Sequence, residues 1–458
     1  MKTFFYFLAA LSLLHPFTAF AAEGELHNGF IPPIISALPF LLILIVIATF
    51  PLIPKVNHWW ERNKNRAIIS LVLGVPVAVY IGINDYHQVI HTAIEYFQFL
   101  SLLAALFITA GGIHISGDIV ASPRNNAIML FIGYVIASLV GTTGAAMIMI
   151  YPVLRANSER KYVMHTIIFF IFLVCNTGGL LSPIGDPPLF LGFLRGINFF
   201  WFLKLFPMWV LNGAILFAVY YAMDSYFYKK EERPAVMRDI HVATPIKPIG
   251  TPNALFLLVV VASVAAAIPT PIREIIMYLM IACSLIYWKK SETAKQARVL
   301  NRFTFHAIIE VAVVFAGIFA TMMPALILLN KRGAELGVNT PLEFFYLTGL
   351  FSSFLDNAPT FLVFLELGLG VTGLTEAAQM MTGDAAVILG AISLGAVFMG
   401  ANTYIGNAPN FMVRAISEEQ KVKMPSFFGY MLWAIAILLP TFTVVAWLFL
   451  AKLNFPLY

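Results

Sequence analysis

Polar groups that could bind an ion interrupt the apolar sequence at four places. Two of these places carry a carboxylate, Asp186 in the segment 176–188 and Asp356 in the segment 356–360. A buried carboxylate can hold a proton or a cation, because burial favours its neutral form and a nearby cation favours its ionised form. Amide and hydroxyl oxygens beside it are ligands that hard cations prefer. The candidate ion- or substrate-binding residues are Thr142, Thr143, Asn176, Thr177, Ser182, Asp186, Asp356, Asn357, Thr360, Asn402, Thr403 and Asn407.

The two carboxylates also have a purely structural interpretation. Aspartate at a helix start accepts hydrogen bonds from free backbone N–H groups, and Asp-Asn pairs are common in turns. A carboxylate at bilayer depth nevertheless costs about 3 kcal/mol, which favours a functional role. Glu310 and Glu366 are weaker candidates. His114, His165 and His306 stand near the ends of apolar stretches, where contact with the membrane interface explains them.

Composition identifies the chain as an integral membrane protein. Of its 458 residues, 60% are hydrophobic and only 11% are charged, whereas about 25% of the residues in a soluble domain are charged. Apolar stretches of about 20 residues, long enough to cross a bilayer as a helix, recur along the chain. The net charge of +5 does not indicate nucleic-acid binding. Two cysteines are too few for a disulfide framework or a thiolate metal site.

The first residues have the pattern of a secretory signal. Lys2 is followed by the apolar segment 4–14, and residues 19–21 (Ala-Phe-Ala) supply the small side chains of a cleavage site. The alternative is an uncleaved first helix, although a histidine and a proline interrupt the apolar run. Because many spans follow, either version predicts a multi-pass protein of the bacterial inner membrane.

The apolar pattern predicts ten helical spans, two of which are broken by polar segments. Two further stretches, 126–153 and 342–368, could each form one tilted helix or a re-entrant hairpin. The predicted spans are 33–53, 66–84, 97–117, 164–194 (broken near 178–187), 199–222, 253–269, 272–288, 305–330, 385–413 (broken near 400–409) and 425–450.

The distribution of basic residues favours hairpins for both ambiguous stretches. Cytoplasmic loops of membrane proteins are enriched in Lys and Arg. If both stretches are hairpins, most of the 28 Lys and Arg residues fall on one side of the membrane. A full span at the first stretch would instead place the basic loops 223–252 and 289–304 outside. We therefore predict an all-α polytopic protein with about ten full spans and two hairpins, one entering from each side.

Each half then runs helix, helix, helix, hairpin, broken helix, helix, which is an inverted repeat. The predicted segments are a signal peptide at 1–21, a first repeat at 22–222, a cytoplasmic linker at 223–252 and a second repeat at 253–458. Hairpin tips and helix breaks expose carbonyl groups, which suit a cation, and N–H groups, which suit an anion. Two such pairs predict an ion or substrate site near the middle of the membrane.

Four motifs resemble those of the ion transporter superfamily, which includes arsenite permeases, D-type Na⁺/H⁺ antiporters, citrate-type carriers and divalent-anion/Na⁺ symporters. Residues 182–186 (Ser-Pro-Ile-Gly-Asp) are similar to a motif of the D-type antiporters. Residues 176–188 resemble the first broken-helix signature of the permeases, 354–360 their second hairpin tip and 405–410 their second broken helix. The resemblance covers nearly the whole chain after the signal and implies a secondary transporter.

Two departures from the superfamily bear on the substrate. The first hairpin tip has Thr142-Thr143-Gly144 where relatives often have an asparagine, and neither hairpin has the Ser-Asn-Thr tip of the dicarboxylate carriers. Aspartates at two of the four breaks would repel an anion unless cations neutralise them. The resemblance with these departures therefore implies Na⁺/H⁺ antiport by alternating access, with Na⁺ and H⁺ as the transported ions and no cofactor.

The leading alternative is a Na⁺- or H⁺-coupled carrier of citrate or a dicarboxylate on the same scaffold. A channel is less expected because it needs no inverted halves, and an intramembrane enzyme would need a nucleophile with its base or a metal cluster. The sequence has neither a His-Glu-x-x-His motif nor a phosphate-binding glycine loop. We therefore predict a transporter and not an enzyme, whose partners are small ions or carboxylates and the lipid bilayer. The oligomeric state stays open, with a homodimer as one option.

Overall fold

The first half of the chain is a series of helices interrupted at the predicted breaks. The computed structural model describes residues 30–232 and 244–452, together with residues 237, 239 and 241. The predicted signal segment lies outside these residues. The helices are α1 (Leu38–Thr49), α2 (Pro54–Trp60), α3 (Asn63–Asn84), α4 (Tyr86–Ala110), α5 (Pro123–Val140), α6 (Thr142–Ala156), α7 (Met164–Leu173), α8 (Pro187–Leu194) and α9 (Phe206–Tyr228). The strand β1 (His114–Asp118) lies between α4 and α5.

The second half begins with the strand β2 (Thr244–Ile249) and continues as helices. These are α10 (Pro252–Ala265), α11 (Ile272–Lys290), α12 (Glu292–Leu300), α13 (His306–Arg332), α14 (Pro341–Phe354), α15 (Asn357–Thr372), α16 (Gly383–Met399), α17 (Ala408–Glu419) and α18 (Phe427–Ala446). Short 3₁₀ segments such as Thr177–Leu181 and Gly400–Asn402 lie within the helix breaks, and a π-helical turn (Trp447–Lys452) follows α18.

The hairpins and broken helices lie at matching places in the two halves. Helices α5 and α6 form the first hairpin, and they join at Gly141, whose φ of +87° is a conformation that glycine adopts at low cost. Helices α14 and α15 form the second hairpin. The arms of the broken helices are α7 with α8 and α16 with α17. Both α8 and α17 have a proline in their first two positions, where its missing N–H leaves no hydrogen bond unmade.

The first arms of the two broken helices lie inside the protein, and other helices present apolar side chains outward. Nearly all of α7 and most of α16 are buried, whereas only about a fifth of α3 is buried. Leu71, Val72 and Ile83 on α3 are among the most exposed large apolar residues. A continuous apolar surface of this kind is suited to contact with lipid. The protein is therefore an all-α polytopic membrane protein whose four breaks are shielded by its own helices.

The spans follow the predicted order, but their lengths differ from the prediction. Within the described residues, eight helices are long and apolar enough to cross a membrane. They include the first hairpin arm, Pro123–Val140, and the first arms of both broken helices. The apolar segments Ile34–Thr49 and Pro252–Ala265 are shorter than this length. The number of spans therefore depends on how the arms of interrupted helices are counted.

The predicted span 97–117 and the predicted linker differ most from the structure. Helix α4 covers Tyr86–Ala110, and α9 continues six residues beyond the predicted end at 222, to Tyr228. Strand β1 pairs antiparallel with β2 from the linker and so holds part of the linker against the first half. His114 in β1 is buried and lies 2.7 Å from the Asn301 side-chain oxygen, and its position at the membrane interface stays a prediction. Burial lowers the pKa of His114 below its ordinary value.

Candidate functional site

Asp186 lies at the meeting point of the four breaks. Its carboxylate is fully buried and accepts hydrogen bonds from three side chains. The Thr142 hydroxyl donates to Oδ1 at 2.8 Å, and the Asn407 amide donates to the same oxygen at 3.0 Å. The Asn357 amide donates to Oδ2 at 2.5 Å. The donors belong to the first hairpin, the second broken helix and the second hairpin, so one carboxylate joins all four interrupted elements.

Four helices begin at this carboxylate. Asp186 and Asn407 are the N-caps of α8 and α17, and Thr142 and Asn357 are the first residues of α6 and α15. A helix N-terminus carries a partial positive charge of about half an elementary charge, because the peptide dipoles are aligned along the helix. Four such ends at one point favour a negative charge there, either on Asp186 or on a bound anion.

Among the described residues, no basic side chain balances Asp186. Its hydrogen-bond donors are neutral, and none of the Lys or Arg residues that the structure describes forms an ion pair with it. An ionised carboxylate inside a protein is costly without a positive partner, so such a group binds a cation or takes up a proton. The site is therefore suited to hold a proton or a cation at Asp186.

Three amide oxygens at the breaks have no hydrogen-bond partner among the described residues. They are Oδ1 of Asn176, Asn357 and Asn402. The amide nitrogen of Asn357 donates to Asp186, and that of Asn402 donates to Ser353 at 2.9 Å. A buried acceptor without a donor costs about 1–3 kcal/mol, and a cation would satisfy it. Asn357 is the best placed of the three because its amide group already contacts the central carboxylate.

Ser138 and Ser353, which were not among the predicted site residues, hold the broken helices in place through their backbone carbonyls. The Ser182 hydroxyl donates to the Ser138 carbonyl and accepts from the Gly185 N–H at 3.1 Å. In the same way, the Thr403 hydroxyl donates to the Ser353 carbonyl and accepts from the Gly406 N–H at 3.1 Å. Ser138 and Ser353 each lie three positions before the N-cap of the second hairpin arm. This common spacing was a sequence signal for both.

Asn176 and Thr177 hold the first break in place and contact the second. The Thr177 hydroxyl donates to the Phe172 carbonyl at 2.9 Å. In a continuous helix this carbonyl would instead accept from a backbone N–H of the next turn, so the side chain replaces the missing bond. The Asn176 amide donates to Oδ1 of Asn410 at 2.8 Å. Asn410 in turn donates to the carbonyls of Gly400 and Thr403, at 2.9 Å each. Asn410 is therefore a residue of the candidate site that the sequence analysis missed. Its place beside Pro409 in the motif 405–410 was the sequence signal that could have identified it.

Asp356 lies outside this cluster of hydrogen bonds. It is half-buried and is the N-cap of α15, where its carboxylate accepts from the Ala358 N–H at 3.0 Å. Thr360 donates to the Asp356 carbonyl at 2.9 Å. Thr143 is half-buried, and its side chain bonds to none of the residues that the structure describes. Helix capping accounts for the contacts of Asp356, and its role as an ion carrier stays a prediction.

Two other buried ionisable residues have partners away from the breaks. Glu366 forms a salt bridge with Arg195 at 2.7 Å. His165 is buried and lies 2.8 Å from the Asp224 carboxylate, which gives it a side-chain partner that the sequence analysis did not name. The sequence did not reveal the partners of Glu366 and His165, because both come from distant parts of the chain.

Within the described residues, no group of three or more His, Cys, Asp or Glu side chains is placed to hold a metal ion. A cation at the breaks would bind through one carboxylate and neutral oxygens.

The family model described as "Putative citrate transport" matches residues 31–450, which include both hairpins and both broken helices. No curated protein matches the chain. The chain therefore belongs to this citrate transport family, and it is a multi-pass membrane transporter.

Proposed function

We propose that this protein is a secondary transporter that couples the movement of citrate or a related carboxylate to a proton or Na⁺ bound at Asp186. The observation that carries the proposal is the position of Asp186, which is fully buried where four helices begin and has only neutral donors around it. The family description supports the choice of citrate.

The coupling follows from the charge at this point. The helix N-termini favour one negative charge, and Asp186 supplies it when no ligand is bound. A carboxylate substrate brings further negative charge and would be repelled by an ionised Asp186. A proton or Na⁺ at Asp186 removes this repulsion, and the N-termini are then available to the substrate. Binding of the cation would therefore precede binding of the anion.

The unpaired amide oxygens support a cation at the same place. Asn357 donates to Asp186 through its nitrogen, and its oxygen has no partner among the described residues. Oxygen ligands of this type suit Na⁺. A bound Na⁺ would therefore satisfy groups that a proton alone would leave without a partner.

A second candidate is Na⁺/H⁺ antiport without an organic substrate. It is favoured by one observation: within the described residues, no Lys or Arg contacts Asp186 or its three donors, so a bound carboxylate would have no basic partner there. The resemblance of residues 182–186 to D-type antiporters also favours antiport.

The location of the protein in the bacterial inner membrane and its assembly as a homodimer stay predictions.

Flux measurements in proteoliposomes separate the two candidates. We expect uptake of labelled citrate that requires an inward Na⁺ or proton gradient and that falls to background in Asp186→Asn. Asp384→Asn is the matched control, because Asp384 is exposed in the first turn of α16. Sodium-driven proton movement without citrate uptake would favour the antiporter, and citrate uptake that ignores both gradients would contradict coupling.

A further inference from the structure

A basic cleft lies at one end of the helices, away from Asp186. It has a volume of about 270 Å³ and lies between the start of α7, the end of α9 and the segment that joins α17 to α18. The loops around it are on the side that the charge pattern predicts to be cytoplasmic. Its lining residues are Arg160, Lys161, Tyr162, Val163, Met164, His165, Phe227, Lys421, Val422, Lys423 and Trp433.

Three lysines give the cleft an unbalanced positive charge. Lys161, Lys421 and Lys423 are exposed, and no ammonium group of the three forms a salt bridge among the described residues. No Asp or Glu is among the described residues that line the cleft. A cleft of this composition would attract an anion.

Two acidic residues beside the cleft, Asp224 and Glu231, are occupied by other groups. Asp224 is bonded to Arg160 at 2.7 Å and lies 2.8 Å from His165. Glu231 accepts from the backbone N–H groups of Lys161 and Tyr162, at 3.0 and 2.9 Å. These contacts turn the carboxylates toward the protein and leave the lysine ammonium groups free to bind a ligand.

The surroundings of the cleft are typical of a membrane interface. Phe428 and Leu432 on α18 are 74% and 67% exposed, and Tyr226 on α9 is 57% exposed. Trp433 and Tyr162 line the cleft itself. Aromatic rings of this kind are enriched at the level of lipid headgroups, and basic pockets between membrane helices on the cytoplasmic side bind anionic headgroups.

We propose that this cleft binds the phosphate headgroup of an anionic phospholipid. The lysines would contact the phosphate oxygens, and the acyl chains would lie along the exposed apolar faces of α9 and α18. The lipid would join the loop before α7, in the first half, to the segment between α17 and α18, in the second half. It would therefore stabilise the contact between the halves on this side of the membrane.

Lipid-dependent stability of the purified full chain tests the proposal. We expect cardiolipin to raise the Tm by a few degrees relative to phosphatidylcholine, because a ligand that binds only the folded state stabilises it. Lys421→Glu/Lys423→Glu should abolish this rise. Lys289→Glu/Lys290→Glu is the matched control, because these two exposed lysines end α11 away from the cleft, and it should keep the rise.

Native mass spectrometry of the same samples supplies a second measurement that does not depend on the Tm. Wild type and the control variant should retain cardiolipin, and the cleft variant should not. Equal retention and equal Tm shifts in all three proteins would overturn the proposal. A rise in Tm with inorganic phosphate as large as that with cardiolipin would also overturn it, because the cleft would then be a site for soluble anions.

Discussion

The two broken helices have nearly the same backbone but carry different charges. At the start of α8, Asp186 has φ and ψ of −145° and 144°, and at the start of α17, Asn407 has −151° and 141°. Ser182 and Thr403 make matching hydrogen bonds before them. The same local structure therefore presents an acid in one half and an amide in the other. The amide donates to the acid across the interface between the halves.

The two hairpins differ in a complementary way. The first joins its arms at Gly141, and the second has Asp356 as the N-cap of its second arm. The next residue in each, Thr142 or Asn357, donates to Asp186. Asp356 supports a helix start, whereas Asp186 receives donors from three other elements. The two carboxylates therefore lie on different interrupted elements, one in each half, and their different surroundings lead us to expect different roles.

The largest effect is expected for Asp186→Asn. This change removes the only titratable group in the central cluster of hydrogen bonds, so coupled flux should fall to background. Uptake of labelled substrate in proteoliposomes measures the loss, with thermal unfolding as the control for folding. Flux within about threefold of wild type would contradict the role of Asp186, since that is less than the tenfold that 1.4 kcal/mol represents.

Exchanging the two side chains tests the equivalence of the halves. In Asp186→Asn/Asn407→Asp, the carboxylate moves to the side chain whose amide nitrogen lies 3.0 Å from Oδ1 of Asp186 in the wild type. The Asn407 amide also donates to the Cys175 carbonyl at 3.0 Å, and a carboxylate would lose this bond. We expect partial recovery of flux relative to Asp186→Asn alone. No recovery would show that the carboxylate must stand on the first broken helix.

Two arginines on the same two half-helices, one at the C-cap of α8 and one in the middle of α17, differ in the burial of their partners. Arg195, the C-cap of α8, bonds to the buried carboxylates of Glu95 and Glu366, whereas Arg414 on α17 pairs with Glu418 near the surface. Arg195→Ala should lower the free energy of unfolding by about 3–5 kcal/mol, because it leaves buried charges unpaired. Arg414→Ala should cost at most about 1 kcal/mol. Denaturation in detergent measures both, and equal effects would contradict the difference.

The donors from the two hairpins should contribute to cation binding at Asp186. Each side chain also carries an oxygen that could bind a Na⁺ held at Asp186, so Asn357→Ala and Thr142→Val should each raise the KM for Na⁺ about tenfold or more. Loss of a donor to the ionised carboxylate should instead lower the KM for a proton. Asn357→Ala should have the larger effect, because it also removes an unpaired oxygen. Thr143→Val is the matched control beside Thr142. An equal increase in this control would contradict a specific role for the Thr142 hydroxyl.

The smallest effect is expected at Asp356. Asp356→Ala removes an N-cap and should lower stability by about 1 kcal/mol, whereas Asp356→Asn keeps a capping oxygen and should leave the Tm nearly unchanged. Flux of Asp356→Asn should stay well above that of Asp186→Asn. Loss of flux to background in a folded Asp356→Asn protein would show that both carboxylates carry the ion.

Local sequence patterns predicted the order of the elements well. Apolar length, the glycines and prolines at the breaks, and the distribution of Lys and Arg predicted two hairpins and two broken helices at the places where they occur. These signals act over about 20 residues, so they can be found without knowing the fold. The strands β1 and β2 were missed, because their pairing joins residues that are far apart in the sequence.

The sequence by itself determined the membrane class, the four breaks and the residue types that could bind an ion. Only the tertiary structure decided which of these residues meet. Asp186 and Asp356 were equivalent in type, but three donors from other elements contact Asp186, and Asp356 caps its own helix. The physical reason is that a cap forms within a few residues of one helix, whereas the Asp186 cluster requires the two halves to pack against each other.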